Sequence, residues 1–280
     1  MTVRNTYEYE NGPHSVYGFR TGRFDFGINT TFIIYRIGGT LIDAGPSNQW
    51  PTIKRVLKPI DIHTLLITHH HEDHSGNANR ISKLKSLLPY APLLGQEKLA
   101  KGYPTPLLQK LIWGSPLKVQ TQTLPETLII NEGTPSQAEV IAIPTPGHAK
   151  DLTCLFFPKQ KYLFSGDMYI SKSLKYLRSD ENLQQLITSL ETLIELDFKI
   201  LFCPHRGIVE QGKQALEEKL ENLLTLCRES QALMVQGLDE AEIVVQLLGP
   251  EDRLAKISKF NISKGNLIRQ AMLYNFSPSV

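Results

Sequence analysis

Between His69 and His74 the chain reads HHHEDH, which places four of its 8 histidines and two acids in six consecutive positions. Imidazole and carboxylate side chains hold zinc, and equally iron or manganese. The question is whether these six side chains point at one place. The run follows HTLLIT, residues 63–68, a short apolar stretch suited to a buried strand. If the extended conformation continues to His71, residues two apart share a face. His69 and His71 then point one way and His70 the other. The chain must turn after His71, because helical spacing resumes over residues 75–88 with Ile81, Leu84 and Leu87 or Leu88. Ser75 is the expected N-cap of that helix. Asp73 and His74 lie in the turn and can swing to the same side. The pattern is H-x-H-x-D-H: His69 and His71 serve one metal, and Asp73 and His74 serve a second beside it. His70 and Glu72 are spacers. His14 and His63 read as structural or solvated histidines.

A catalytic zinc takes about three protein ligands and keeps one position open. Two metals therefore need more ligands than this stretch holds, and other elements must bring them. Residues 29–45, NTTFIIYRIGGTLIDAG, are two β-branched runs flanking Gly38 and Gly39, a hairpin signal. QWPTIKRVLKPI then predicts a short helix, with Ile53, Val56 and Leu57 at helical spacing. Residues 152–167, LTCLFFPKQKYLFSGD, lie over residues 30–45 without a gap. Each is an apolar run, a polar turn and a second apolar run ending beside a glycine and an acid. Each leads to a helical segment, 51–58 or 182–196, and then to an apolar run ending at histidine, LLITHHH or KILFCPHRG. Two copies of hairpin, helix, strand and histidine predict two similar halves in an α/β sandwich with helices outside. If the halves stack face to face, the histidine-bearing strand ends meet at one edge. His148 in TPGHAKD, Asp167 in FSGDM and His205 in FCPHRG then become candidate ligands, each at a strand-to-loop boundary. His205 by itself would pass for a structural histidine. Asp43 in LIDAGP is either a turn residue or a carboxylate that supports a ligand.

Residues 101–127, with Pro104, Pro106, Pro116, Pro125, Tyr103 and Trp113, read as irregular. Ordered loops of that length hold helical turns or border a functional site. From about Glu210 onward the signal is all helical. The expected organisation is a catalytic domain over 1–210 and a helical region over 211–280, acting as a lid, a packing element or a partner-binding module. A formal net charge of +2 is too small to argue for nucleic acid or membranes. The first residues carry no apolar core of signal-peptide length, and no later stretch has the length of a transmembrane helix. Cys154, Cys203 and Cys227 are too few and too far apart for a disulfide framework or a CxxC metal site, and they read as core. The expectation is a soluble, cytoplasmic protein.

THHHEDH, GHAKD, SGD and PHRG, in that order within Asn29 to Gly207, together resemble the metallo-β-lactamase-fold hydrolases. The resemblance implies an αββα sandwich with its site at one edge of the two sheets. It implies two divalent ions, zinc ahead of iron or manganese. His69, His71 and His148 would hold the first, Asp73, His74 and His205 the second, and Asp167 would bridge them. Histidine at position 71 argues against the oxygen-reducing members, which have glutamate there. Ala149 stands where many hydrolases have threonine or serine, and Arg206 splits the usual His-Gly pair; neither departure removes a ligand. The implied chemistry is hydrolysis by a metal-bridging hydroxide, since coordination lowers the pKa of water from about 15.7 to about 7. Asp73 and Asp167 are the expected catalytic carboxylates. Tyr169, Lys172 and Tyr176 are candidates for substrate contact. A small carbonyl substrate, thioester or lactone, is expected. The alternatives are a phosphodiesterase or endoribonuclease, which Lys256, Lys259, Lys264 and Arg269 would serve, and a non-catalytic metal-bearing regulator.

Overall fold

The computed structural model describes residues 3–25 and 30–276, so Asn29, the first residue of the predicted hairpin, lies outside the described residues. The first sheet follows chain order: β1 (Asn5–Tyr9), β2 (Val16–Thr21), β3 (Phe32–Ile37), β4 (Thr40–Ile42), β5 (Thr64–Leu66), β6 (Tyr90–Ala91) and β7 (Gln122–Thr123). The second sheet has β8 (Thr127–Ile130) at one edge. Next come β9 (Ala138–Pro144), β10 (Thr153–Phe157), β11 (Tyr162–Phe164), β13 (Ile200–Cys203) and, at the other edge, β14 (Gly207–Val209). A separate pair joins β12 (Leu177–Arg178) to β15 (Ile262–Ser263).

Both sheets belong to the first of two units, which comprises the described residues to Pro144, Lys150–Ile170 and Asp197–Gly212. The inward side chains of β3 show how its core is made. Ile33, Tyr35 and Ile37 join Leu155, Phe157, Tyr162, Phe164, Ile200 and Phe202 between the sheets. The alternate residues Phe32 and Ile34 pack outward with Ile53, Leu57, Ala78, Ile81 and Leu99 of α1 (Trp50–Leu57), α2 (Ala78–Lys85) and α3 (Leu93–Lys101). A strand covered on both faces must be apolar throughout, and FIIYRI is nearly so. Each such side chain contributes about 1.5–3 kcal/mol by burial.

The internal repeat is present in the pairing. Each copy is an antiparallel hairpin, β3–β4 or β10–β11. In each, the second hairpin strand pairs parallel with a later strand, β4 with β5 and β11 with β13. The histidines follow the ends of those later strands, so the α/β class read from the pattern holds.

Two local expectations need correction. The α2 helix begins at Ala78 after Asn77, and Ser75 is not its cap. The Ser75 hydroxyl lies 2.7 Å from the carbonyl of His70 and 3.0 Å from that of His71, closing the histidine turn instead. Residues 101–127 are also less irregular than they read, since they hold α4 (Leu107–Trp113), which starts after Pro106 and stops at Gly114, and β7.

The second unit comprises Thr145–Ala149, Ser171–Leu196 and the described residues from Lys213. It holds α5 (Leu183–Ile194), nearly all of α6 (Gly212–Val235), α7 (Glu240–Leu248), α8 (Arg253–Ile257) and α9 (Lys264–Met272). Leu233, Ile243, Val244 and Ile268 form its small core. Asp239 and Glu242 make a reciprocal cap at the start of α7. Lys264 Nζ donates to the carbonyls of Leu248 and Pro250 at the far end, satisfying groups the helix leaves open. Among the described residues no helix is long and apolar enough to cross a membrane.

Candidate metal centre

After β5 the chain bends at Thr68 and again at His70 and then closes a turn, with the amides of His74 and Ser75 donating to the carbonyl of His71. The strand expected to run on to His71 ends at Leu66, yet the two outer histidines meet. His69 Nε2 and His71 Nδ1 approach to 3.0 Å. Beyond the turn, Asp73, His74, Asp167 and His205 each offer a ligand atom within 4.8 Å of the others, and all four residues are buried. Asp167 Oδ1 is 3.1 Å from His74 Nε2 and 3.2 Å from His205 Nε2, and Asp73 Oδ2 is 3.4 Å from His205 Nε2. Ligands at about 2.0–2.2 Å from a tetrahedral zinc lie roughly 3.3 Å from one another, so these spacings fit a divalent ion.

The far side of each ring is fixed as well. His74 Nδ1 donates to Asp43 Oδ2 at 2.7 Å, and His205 Nδ1 donates to the carbonyl of Thr31 at 2.9 Å. His69 Nδ1 is 3.1 Å from the Thr68 hydroxyl, which itself donates to Asp43. With their protons so placed, the three rings turn Nε2 lone pairs inward, the arrangement that metal-ligating histidines use. Phe32 packs edge-on against both His74 and His205, and Trp113 lies against His205. Asp167 is delivered by the turn after β11. Gly166, at φ 46°, makes that turn, and a Cβ there would come within 2.8 Å of Leu152 Cδ1.

Asp43 thus stands against His74 rather than only making a turn. His148 lies in the second unit, where its Nδ1 meets Glu181 Oε1 at 2.5 Å. Its segment is fastened there by the Asn182 amide on the Gly147 carbonyl and by the Ser189 hydroxyl on the Pro146 carbonyl. Tyr169 is buried, with its carbonyl accepting from the Cys203 thiol. Lys172 pairs with Glu218, and the Tyr176 hydroxyl donates to Asp252, both within the second unit. Sequence reasoning missed Thr68, Thr31, Phe32 and Glu181. For Thr68 the signal was its place immediately before the histidine run; the others carry no local mark.

Burial pushes the His74 and His205 rings toward neutrality, but the surrounding carboxylates outweigh it. Asp43, Asp167 and Asp73 raise His74 well above the usual histidine value. Asp167 and Asp73 push His205 up to about 10. A metal takes the neutral imidazole, so each of these rings must give up any extra proton as an ion binds. Zinc loading at pH 7.5 is therefore expected to release protons. Calorimetry in buffers of differing ionisation enthalpy measures this. Uptake, or no exchange, would contradict it.

A two-sheet α/β unit carrying a buried histidine–carboxylate centre is the class of protein that fold and site define. Residues 23–205 match the model of the metallo-beta-lactamase superfamily, and the chain belongs to that superfamily. It is 24% identical over 199 residues to the atrochrysone carboxyl ACP thioesterase of Aspergillus fumigatus, covering 70% of this chain and 56% of that protein. It is 25% identical over 178 residues to a hydroxyacylglutathione hydrolase of Bartonella tribocorum, covering 59% of this chain and 60% of that protein. The chain thus spans little more than half the length of these curated relatives. A solved beta-lactamase domain protein from Burkholderia ambifaria superposes with a TM-score of 0.72 over 95% of this chain and 87% of that one, at 16% identity. That likeness concerns the fold.

Proposed function

We propose that the protein is a dinuclear, metal-dependent hydrolase of small carbonyl substrates, thioesters before lactones. The observation that carries this is the buried group Asp73, His74, Asp167 and His205, with two imidazoles turned inward on a shared carboxylate oxygen. His69 and His71 supply the start of a second ligand set, and His148 is proposed as its third member. Asp167 is the proposed bridge, and zinc the proposed metal, ahead of iron or manganese. Such ions would activate water at neutral pH and polarise the substrate carbonyl. The chain's own part is to orient. Asp73 and Asp167 hold negative charge at fixed positions, while Asp43 and Thr31 keep the His74 and His205 rings in the required tautomer.

The catalytic part is proposed to lie within 1–210, with 211–280 as its helical accessory. The names of the relatives support a thioester. The tail supports nucleic acid less than its composition suggests, because Lys264 is spent on the end of α7 and Arg269 forks onto Glu240 at 2.6 and 2.8 Å. Lys172 and Tyr176 would have to leave Glu218 and Asp252 to touch substrate, so the reading rests on the metal group and not on them. The test is a panel of thioesters, lactones, bis-p-nitrophenyl phosphate and single-stranded RNA, with chelator-stripped protein as the blank. About two zinc ions per chain and thioester or lactone turnover are expected. One ion or none removes the dinuclear reading. Turnover confined to the phosphate substrates replaces the substrate class, and silence on all four with metal bound favours the regulator.

A further inference from the structure

His70 is flanked by two proposed ligands yet belongs to neither metal group. Its surroundings are unusually complete. The backbone amide donates to Asp151 Oδ2 at 2.8 Å, and ring Nδ1 meets Asp151 Oδ1 at 2.7 Å. Lys98 Nζ donates to ring Nε2 at 2.9 Å. The carbonyl accepts from the Tyr103 hydroxyl at 2.5 Å and lies 2.7 Å from the Ser75 hydroxyl. Every polar atom of this residue is engaged, both ring nitrogens included, so the ring has no lone pair for a metal. The chemistry of the partners also sets the tautomer. An ammonium can only donate, so Nε2 accepts and the ring proton sits on Nδ1, donated to Asp151.

Asp151 is itself held closely. A Cβ on Gly95, in α3, would overlap its carboxylate, and the next residue but one, Thr153, donates its amide to the carbonyl of Thr68. Three distant segments thus converge on one residue. The turn before β10 brings Asp151, α3 brings Lys98, and the loop before α4 brings Tyr103. The His70 amide belongs to the peptide group shared with His69 and its carbonyl to the one shared with His71, so holding both together with the ring fixes the backbone from which His69 and His71 leave.

We infer that Asp151 is a positioning residue for the first metal, acting through His70 together with Lys98 to hold His69 and His71 at their ligand spacing. The inference rests on the dinuclear reading above but not on any substrate. Groups that orient metal-ligating histidines typically change metal affinity about 10–100-fold when removed; one residue further out, about tenfold is expected.

The experiment is zinc titration of the full chain against a competing chelator, with circular dichroism as the fold control. The binding step that disappears in His71→Ala identifies the first group. Asp151→Asn keeps shape and one acceptor but turns an NH2 group toward a second donor. It is expected to weaken that step about tenfold, to leave the other step unchanged, and to add nothing in the His71→Ala background. Lys98→Met, a change at a half-exposed helix position, is expected to weaken the same step less, and it decides the matter if Asp151→Asn does not fold. The pair Asp151→Asn with Lys98→Gln lets the ring take the opposite tautomer, with the glutamine oxygen accepting from Nε2. It is expected to recover part of the loss, which a merely space-filling role for Asp151 would not produce. Wild-type zinc binding with unaltered variants overturns this inference alone. Wild-type protein that takes up no zinc overturns the dinuclear reading beneath it.

Discussion

Asp73→Ala is expected to lower turnover about a thousandfold or more while the chain still folds. A thousandfold is about 4 kcal/mol of barrier, the scale of losing a group that holds an ion and its water in place. The carboxylate is well sited for that, 3.4 Å from His205 Nε2 and 4.0 Å from His74 Nε2. It lies in the turn between β5 and α2, so no strand or helix depends on its side chain. Its removal also deletes one of two carboxylates crowded on His205, which offsets part of the lost pairing with the raised imidazoles. Turnover, zinc per chain and the thermal midpoint should be measured together. Activity within tenfold of wild type, with two ions still bound, sinks the assignment of Asp73. Lost activity with a collapsed midpoint would instead assign Asp73 to the fold.

The difference between local and distant information decides how much was legible in advance. The split of HHHEDH is read from a strand before it and a helix after it; His69 and His71 do meet, although the strand ends at Leu66 and the chain bends at Thr68 and His70. Asp167 and His205 could be singled out because the repeat is real: the same hairpin, parallel strand and terminal histidine are built twice. Asp43 occupies the corresponding place in the first copy, at the end of β4. The failures share one cause. Ser75 resembled a cap by composition, but its hydroxyl closes a turn that only the three-dimensional path creates. The α4 helix was hidden because Pro106 and Gly114 punctuate seven residues, too few for periodicity to stand out. Asp151, Lys98 and Tyr103 reach His70 from 81, 28 and 33 positions away, and nothing in their own neighbourhoods points there. His70 looked like a spacer because alternation says which way a side chain points, not what waits for it.

Asp43→Ala is the change expected to cost most in stability. Its carboxylate is buried and carries three loads: the Thr68 amide at 2.8 Å, the Thr68 hydroxyl at 2.9 Å and His74 Nδ1 at 2.7 Å. Its backbone sits at φ 61°, where aspartate and asparagine are tolerated and alanine is strained. Truncation leaves a buried amide and a buried imidazole N–H without their acceptor. Breaking a buried charged pair from one side costs about 3–5 kcal/mol. At roughly 2–4 °C per kcal/mol for a domain of 150–250 residues, the thermal midpoint should fall by about 10 °C. Asp43→Asn separates the two roles. Asparagine keeps the left-handed backbone and one acceptor oxygen, so most of the stability should survive. The charge that orients His74 is gone, however, and zinc affinity of the Asp73–His74–Asp167–His205 group should fall about 10–100-fold. Calorimetric unfolding and chelator competition on both variants read these two effects independently. A midpoint within 2 °C of wild type for Asp43→Ala would remove the structural role. Unchanged zinc affinity in Asp43→Asn would show that the Thr68 hydroxyl, 3.1 Å from His74 Nδ1, suffices to hold the ring.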